Sequence, residues 1–172
     1  MKNKIEKLLP VALLVAVVVF DQVTKQLVVA NIPVHSVGAS FFGDFLRIVL
    51  VYNTGVAFSI GQGSGEIVRL ILFKILPIVA LGFVMAFYFL SDKITRLQRW
   101  AICGVVGGGI GNIIDRVFNP HGVIDFIDVK FYGLFGFERW PTFNIADSAV
   151  VVCGILLFVS VMLSKGGEGA EK

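Results

Sequence analysis

The sequence predicts a membrane α-helical protein with four transmembrane helices, a small outward-facing β-sheet and an interfacial loop. Of its 172 residues, 56% are hydrophobic and 16% are charged, whereas about 25% of the residues of an ordinary soluble domain are charged. The mean hydropathy is +0.87, and a chain of this length still exposes roughly a third of its surface after folding. Contact with lipid is therefore the simplest explanation of the composition.

Four apolar stretches approach the length of about 20 residues that a helix needs to cross the hydrocarbon core. They lie at 8–32, 67–90, 100–118 and 145–164, within a single domain of residues 1–172. The first stretch resembles a secretory signal peptide, but Asp21 and Lys25 separate its apolar run from the possible cleavage site. We therefore expect a retained helix. Residues 165–172 are polar and rich in glycine, and we expect them to form a mobile tail.

The distribution of basic residues predicts the topology. Four spans place both termini on one side of the membrane, and short connections rich in Lys and Arg stay in the cytoplasm. Basic residues crowd the N-terminus and the connection between the second and third spans: Lys2, Lys4, Lys7, Lys93, Arg96 and Arg99. Both termini are therefore predicted to be cytoplasmic, and the connections 33–66 and 119–144 face outward.

The two outward connections contain strand-like and aromatic segments. Residues 45–52 and 123–129 are rich in β-branched and aromatic side chains, and the first run ends at the turn sequence 53–55. Residues 61–65 are expected to form a flexible loop. Aromatic residues follow the second run: Phe131, Tyr132, Phe135, Phe137, Trp140 and Phe143. Since such rings favour the headgroup layer, we expect a small sheet and an aromatic platform on the outer membrane face.

Composition and spacing exclude several classes of function. The 15 Lys and Arg residues are mixed with 12 Asp and Glu residues, so no nucleic-acid partner is expected. Cys103 and Cys153 lie in apolar stretches without metal-ligand spacing, so we expect neither a disulfide nor a metal ion. His35 and His121 lie in outer loops with no spacing that implies a catalytic triad. No cofactor is expected.

Ionisable groups in or beside a span are costly unless they are paired, so each is a candidate functional residue. Asp21 and Lys25 have the i, i+4 spacing of a helix ion pair, which leaves an ion pair and a role in a site as alternatives. Asn112, Asp115 and Arg116 share one face near the outer end of the third span, after glycines that favour close helix packing. Asp115 and Arg116 form a charge pair, or Arg116 binds a carboxylate or carbonyl group.

Asp147 lies in the first turn of the fourth span, where Asn144 is the expected N-cap and Asp147 a capping acid. Asp125 precedes it in a strand-like segment that returns to the same membrane face. Asp128 is the competing partner, but residues three apart in a strand point to opposite faces, so only one of the two faces the helices. Two adjacent carboxylates share a proton near neutral pH. This pattern indicates an aspartic protease, in which one carboxylate is a base and the other an acid.

Five blocks carry these polar residues: DQVTK at 21–25, YNTGVAFS at 52–59, GGGIGNIIDR at 107–116, GVIDFIDV at 122–129 and FNIADSAV at 143–150. In this order, and together with the four spans, they resemble the lipoprotein signal peptidases, the signal peptidase II family of aspartic peptidases. The resemblance covers nearly the whole chain. It implies that Asp125 and Asp147 are the catalytic dyad and that Asp115 is structural. It also implies a set of substrate-binding or dyad-supporting residues: Asp21, Lys25, Asn53, Gly55, Asn112, Arg116 and Asn144.

The resemblance further implies the activity. Members of this family remove the signal peptide from bacterial prolipoproteins by cutting before a cysteine that carries diacylglycerol. The expected partners are diacylglyceryl prolipoproteins and membrane lipid, and the expected form is a monomer in the bacterial cell (inner) membrane, with its site at the outer interface. Neither Cys103 nor Cys153 follows a lipobox. The chain therefore resembles the processing enzyme and not a substrate.

Two other classes of function compete with a protease. A small proton-coupled transporter subunit would use Asp21, Asp115, Asp125 and Asp147 as a proton relay, and inverted repeats would favour it. The sequence shows no such repeat. A membrane scaffold would use the same polar side chains only to join helices. A scaffold would tolerate Asp125→Asn or Asp147→Asn, whereas a dyad would not.

Overall fold

A computed structural model of the protein describes residues 2–55 and 66–168. In this part of the chain, four helices are long and apolar enough to span a membrane: Ile5–Asn31, Ile67–Leu90, Arg96–Phe118 and Ile145–Ser164. The predicted four-helix architecture is confirmed. The first and third spans begin earlier than predicted, whereas the second and fourth coincide with the prediction.

The first span is built from α1, Lys2–Leu8, and α2, Val11–Asn31. The break falls at Pro10, which has no amide hydrogen to donate to the preceding turn. The amide groups of Ala12 and Leu13 donate instead to the carbonyl groups of Leu9 and Pro10, at 3.1 and 3.0 Å. The chain thus passes directly from one helix into the next.

The second span contains a wide turn that hydrophobicity did not predict. It consists of α3, Glu66–Leu70, a π-helical turn over Ile71–Ile75, and α4, Leu76–Leu90. Pro77 follows the π-helical turn and cannot donate a regular helical hydrogen bond, so the wider turn accommodates the missing donor. Two residues of the π-helical turn, Phe73 and Lys74, line a cavity together with residues of the third span and of the connection between the first two spans.

The third span, α5, is Arg96–Phe118 and begins before the predicted residue 100 because Thr95 and Gln98 form a capping box. The amide of Gln98 donates to Thr95 Oγ1 at 3.3 Å, and the amide of Thr95 donates to Gln98 Oε1 at 3.0 Å. These bonds satisfy the donors of the first turn, so a polar segment can start the helix.

The fourth helix, α6, is Ile145–Glu168. The apolar span within it ends at Ser164, as predicted, and the helix continues into the segment 165–172 that the sequence predicted as a tail. Glycine costs a continuing helix only about 1 kcal/mol per residue, which an established helix tolerates. Residues 169–172 lie outside the described part, and the mobility of the tail stays a prediction.

Glycines of α5 allow α2 and α6 to pack closely on either side of it. A side chain at Gly107 would lie 2.9 Å from the carbonyl oxygen of Leu14 in α2. A side chain at Gly108 would overlap the carbonyl group of Ala146 in α6. The predicted packing role of these glycines is confirmed, and it brings the three helices together.

A three-stranded antiparallel sheet in the order β1-β2-β3 covers the end of the bundle at which α2 and α5 end and α6 begins. Its strands are β1, Val37–Phe41, β2, Leu46–Asn53, and β3, Val123–Val129. The two predicted strands are confirmed, whereas β1 was missed because its sequence VGASF contains little β-branched character. The register shifts between Ile48 and Val51, and Val51 then pairs with Asp125.

An apolar core fixes the sheet to the helices. Val28 of α2 packs with Leu50 of β2 and with Ile124 and Phe126 of β3. Beyond β3, the aromatic residues form a cluster, with the Trp140 ring 4.9 Å from Phe131 and 5.8 Å from Phe137. The expected position of this cluster at the membrane surface stays a prediction. The predicted loop at 61–65 lies outside the described residues.

Candidate active site

Asp125 lies in β3 and is buried between the sheet and the helix ends. Its Oδ2 atom accepts a hydrogen bond from Asn53 Nδ2 at 3.0 Å, and its Oδ1 atom accepts one from Asn144 Nδ2 at 2.7 Å. Asp128 instead accepts a hydrogen bond from Arg139 Nε at 2.6 Å. The prediction that only one of these two aspartates faces the helices is confirmed, and the sheet selects Asp125.

Asp147 lies in the first turn of α6, where Asn144 is the N-cap. The amide of Asp147 donates to Asn144 Oδ1 at 2.9 Å, and the amide of Asn144 donates to Asp147 Oδ2 at 3.2 Å. The predicted capping interaction is therefore confirmed. Asp147 Oδ1 also accepts a hydrogen bond at 2.7 Å from Asn112 Nδ2 of α5. Asp147 thus caps its own helix and joins a polar group that crosses between helices.

Two asparagines connect the carboxylates. Asn144 Nδ2 lies 2.7 Å from Asp125 Oδ1 and 3.0 Å from Asn112 Oδ1, while Asn112 Nδ2 donates to Asp147. Asn144 therefore contacts both aspartates, through its side chain to Asp125 and through its capping bonds to Asp147. Residues from β3, α5 and the start of α6 converge here, as the sequence predicted for Asp125 and Asp147.

The environment of Asp125 favours its protonated form. Burial raises the pKa of Asp125 to about 7, against the lowering effect of the hydrogen bond from Asn53. The negative charge of Asp147 raises this pKa further, and the hydrogen bond from Asn144 opposes it. A carboxyl group with this pKa holds a proton for much of the time at neutral pH and can act as an acid.

A buried cluster of charged residues, Asp21, Lys25 and Asp115, contacts Asn112 beside the two aspartates. Lys25 and Asp21 are both 0% exposed and form an ion pair at 2.8 Å. Lys25 Nζ also lies 2.8 Å from Asp115 Oδ2 and donates to Asn112 Oδ1 at 3.1 Å. The predicted pair of Asp21 and Lys25 is therefore present, and it also contacts a residue that binds Asp147. The ion pair is thus confirmed, and a role of Asp21 and Lys25 in the site stays a prediction.

The two carboxylates of this cluster each hold a backbone group near the site. Asp21 Oδ1 accepts a hydrogen bond from the amide of Ala146 at 2.9 Å, beside Asp147. Asp115 Oδ2 accepts one from the amide of Ile124 at 3.0 Å, beside Asp125. The charge cluster therefore ties the backbones of both aspartate segments to the bundle.

Asp115 pairs with Lys25 and not with Arg116, so the predicted mutual pair of Asp115 and Arg116 is wrong, and a binding role of Arg116 stays a prediction. Neighbouring residues of a helix point in different directions and do not face each other. Arg116 instead lines a cavity of about 480 Å³ together with Asn53 and Gly122. Its Nε atom is buried and has no hydrogen-bond partner among the described residues.

The remaining predicted site residue, Gly55, follows Asn53 and Thr54, which line this cavity. Its amide donates to Asn53 Oδ1 at 2.9 Å, which orients the Asn53 side-chain amide toward Asp125. Its backbone has a φ of +88°, which favours glycine. Residues 56–59 of the block at 52–59 lie outside the described part of the chain.

Sequence reasoning missed three residues at this end of the bundle. Gln22 Nε2 donates to Asp115 Oδ1 at 3.0 Å and to the carbonyl of Gly111 at 3.1 Å. Arg69 and Lys74 line the cavity beside Arg116. A signal for Lys74 was present, since a lysine inside an apolar span is costly unless it serves a function.

The histidines and cysteines considered in the sequence analysis do not contact the two aspartates. The ring centroid of His121, which is exposed, lies 5.2 Å from that of Tyr52. Cys103 and Cys153 are both free. In the described ranges, no three His, Cys, Asp or Glu side chains are grouped as metal ligands. The expectation that the protein needs no metal or other cofactor stays a prediction.

The sequence and the fold are similar to those of known proteins along nearly the whole chain. A sequence model of the signal peptidase (SPase) II family matches residues 13–163. The lipoprotein signal peptidase of Treponema denticola is 53% identical over 163 residues, which are 95% of this chain and 94% of that protein. The lipoprotein signal peptidase of Treponema pallidum is 50% identical over 155 residues, which are 90% of this chain and 83% of that protein.

Solved structures give the same result for the fold. A bacterial membrane enzyme determined by the in meso method superposes with a TM-score of 0.76 at 30% identity, over 92% of this chain and 90% of that chain. A second such structure has a TM-score of 0.73 at 31% identity, over 88% of this chain and 91% of that chain. The helices and the sheet together therefore match an experimentally determined arrangement.

Proposed function

The chain belongs to the signal peptidase II family, and we propose that it is an aspartyl endopeptidase that removes the signal peptide from diacylglyceryl prolipoproteins. It is a multi-pass bacterial membrane protein with four apolar helices. In our proposal the cut falls before the lipidated cysteine, and Asp125 and Asp147 are the catalytic dyad. The transporter and scaffold alternatives receive no support from the relatives described above.

One observation carries the proposal: Asn144 contacts both aspartates at the end of the bundle that the sheet covers. Its side-chain amide donates to Asp125 at 2.7 Å, and its backbone amide donates to Asp147 at 3.2 Å. Burial and the charge of Asp147 give Asp125 a raised pKa, as two carboxyl groups with different roles require. A scaffold has no need of such a pair.

The difference between the two environments suggests a division of roles. Asp147 accepts hydrogen bonds from Asn112 and Asn144. In our proposal it serves as the base that takes a proton from water. That water attacks the carbonyl carbon of the scissile bond, while protonated Asp125 donates a hydrogen bond to the carbonyl oxygen. The tetrahedral intermediate then breaks its carbon–nitrogen bond, and a proton passes from the dyad to the leaving amine.

The remaining residues act on the dyad or on the substrate. Asn53 and Asn144 hold Asp125, and Asn112 holds Asp147. Lys25 donates to Asn112 Oδ1, so the amide nitrogen of Asn112 points to Asp147. We propose that Arg116, which lines the cavity and whose buried Nε has no partner among the described residues, binds a carbonyl or carboxylate group of the substrate.

We also propose that the dyad lies at the outer face of the membrane. The basic residues before the first span and between the second and third spans favour a cytoplasmic position for both termini. Asp125 and Asp147 lie together beside the sheet, at the end of the bundle away from these basic residues. The diacylglyceryl group would fix the depth of the substrate cysteine in the outer leaflet, so the scissile bond and the dyad would lie at one height.

A lipidated and an unlipidated form of the same prolipoprotein test the substrate assignment. We expect the purified protein to cleave the lipidated form before its cysteine and to cleave the unlipidated form roughly 100-fold more slowly, because misalignment of reacting groups by about 1 Å has effects of this size. Mass measurement of the products over time gives both the site and the rate. Equal rates for the two forms, or cleavage at another bond, would refute the proposed substrate.

Labelling of single cysteines tests the orientation. In a variant with Cys103→Ala and Cys153→Ala, we expect Ser40→Cys, exposed on β1, to react with an impermeant thiol reagent outside intact spheroplasts. Ser91→Cys, between α4 and α5, should react only after the membrane is permeabilised. The reverse pattern would place the dyad in the cytoplasm and contradict the proposed route of the substrate.

A further inference from the structure

The cavity of about 480 Å³ beside the dyad has a strongly basic wall, which we call the cationic cavity. Three of its lining residues are Arg69 in α3, Lys74 in the π-helical turn and Arg116 in α5. No described lining residue is acidic. Among residues 5–55 and 67–164, whose side chains the structure describes, none forms an ion pair with any of the three cations. The described side chains that line the cavity therefore carry a net positive charge.

Two of the three cations, Lys74 and Arg116, occupy positions where a charged or polar group costs free energy unless it has a partner. Lys74 lies inside the apolar span Ile67–Leu90, where ionisable residues are rare and mark functional sites. Arg116 has a buried Nε atom without a hydrogen-bond partner among the described residues. Buried donors normally have partners, so this atom indicates a ligand with an acceptor oxygen.

The backbone around the cationic cavity includes a π-helical turn and two glycines in close contact with their neighbours. The π-helical turn carries Phe73 and Lys74, and π-helical turns often occur at functional sites. A side chain at Gly55 would lie 3.3 Å from the Phe73 ring, so Gly55 allows the ring to pack there. A side chain at Gly122 would lie 2.5 Å from the carbonyl oxygen of Asn53. The absence of side chains at these two glycines allows Phe73 and the end of β2 to pack closely around the cavity.

One residue joins the cationic cavity to the dyad. Asn53 lines the cavity, and its Nδ2 atom donates to Asp125 Oδ2 at 3.0 Å. A peptide cut at the dyad therefore has part of its length beside the cavity. In the proposed function, the signal peptide lies in the membrane and the chain that follows the lipidated cysteine leads toward water. Arg69 is exposed near the start of the second span. In the proposed orientation this is the outer side, from which that chain would leave.

We propose that the cationic cavity binds the polypeptide segment that follows the lipidated cysteine and favours acidic side chains there. Arg69 and Lys74 are then specificity-determining residues that contact this segment. This inference rests on the proposed function, because it assumes a prolipoprotein cut at Asp125 and Asp147. It adds a preference for charge at positions after the cut, which the cleavage reaction itself does not require.

Three lipidated substrates that differ only in the second and third residues after the cysteine test the proposal. These residues are Asp-Asp, Asn-Asn or Lys-Lys, and kcat/KM is measured in vesicles of zwitterionic lipid at low and high salt. At low salt we expect the Asp-Asp substrate to exceed the Asn-Asn substrate about fivefold, as one or two partly exposed ion pairs allow. High salt should reduce the difference because it screens exposed charges.

Variants assign the preference to the cavity. Arg69→Gln with Lys74→Gln should remove the preference, and Arg69→Glu with Lys74→Glu should reverse it toward the Lys-Lys substrate. Lys93→Gln, on the opposite side of the membrane, is the matched control and should keep the full preference. The neutral Asn-Asn substrate shows in each case whether the variant is folded and active.

The outcomes separate this inference from the proposed function. Equal rates for all three substrates in the unchanged protein, or a preference that survives Arg69→Gln with Lys74→Gln, would overturn the inference and leave the peptidase assignment intact. An effect of the variants that depends on added anionic phospholipid, and not on substrate charge, would assign the cavity to lipid and also overturn it. Failure to cleave any lipidated substrate would instead refute the proposed function.

Discussion

Replacing Asp125 or Asp147 with asparagine is expected to lower the cleavage rate of a lipidated prolipoprotein by about a hundredfold to ten-thousandfold. An asparagine keeps the size of the side chain, but it neither takes a proton from water nor supplies one to the leaving amine, and loss of acid–base catalysis costs about 10² to 10⁴ in rate. The two residues act as a unit, so the double variant should be little slower than either single variant. Product formation measured in detergent by mass gives the rates.

Asp128→Asn is the matched control for this experiment. Asp128 lies in the same strand as Asp125, but its carboxylate binds Arg139 at 2.6 Å. We expect this variant to keep activity within a few-fold of the unchanged protein. Near-normal turnover by Asp125→Asn or Asp147→Asn would show that the replaced residue is not part of the dyad. Inactivity of Asp128→Asn in a folded protein would contradict the assignment of Asp125, and not Asp128, to the site.

The pH profile gives an independent readout of the same pair. If Asp125 acts as the acid, activity should fall as the pH rises through about 7, the raised pKa of Asp125, because the proton is then lost. Stability should change in the same direction, since the folded protein holds this proton above the ordinary pKa of 3.8. Between these values stability falls as pH rises, and Asp125→Asn should remove this contribution. A flat profile around pH 7 would contradict the role of Asp125.

The second large effect is expected at Lys25. Its ammonium group is 0% exposed and lies 2.8 Å from both Asp21 and Asp115. Lys25→Met should lower the free energy of unfolding by about 3–5 kcal/mol, because it leaves two buried carboxylates without their cation. Thermal unfolding of the purified protein in detergent measures the loss.

Two further variants separate charge from packing at Lys25. Lys25→Met combined with Asp21→Asn and Asp115→Asn should recover much of the stability, because no unpaired charge then remains buried. Lys7→Met breaks an ion pair whose Asp92 side chain is 74% exposed, and it should cost less than about 1 kcal/mol. Equal losses for Lys7→Met and Lys25→Met would show that burial of the cluster does not determine its contribution.

The sequence by itself determined the features that depend on local pattern. Apolar stretches of sufficient length predicted the four spans, and capping chemistry predicted the bonds between Asn144 and Asp147. The two-residue period of a strand separated Asp125 from Asp128. These inferences hold because the spacing of residues along a helix or a strand fixes the direction of each side chain, whatever packs against it.

Only the tertiary structure decided which distant groups meet. Lys25 is the partner of Asp115 because close packing at the α5 glycines brings α2 and α5 together, and no local spacing indicates that contact. The extra residue in β2 that sets Asp125 against Val51 also depends on pairing between segments far apart in sequence. The cationic cavity likewise requires residues from β2, the second span and α5. Such contacts depend on how whole elements rotate and pack, which the pattern within one element does not specify.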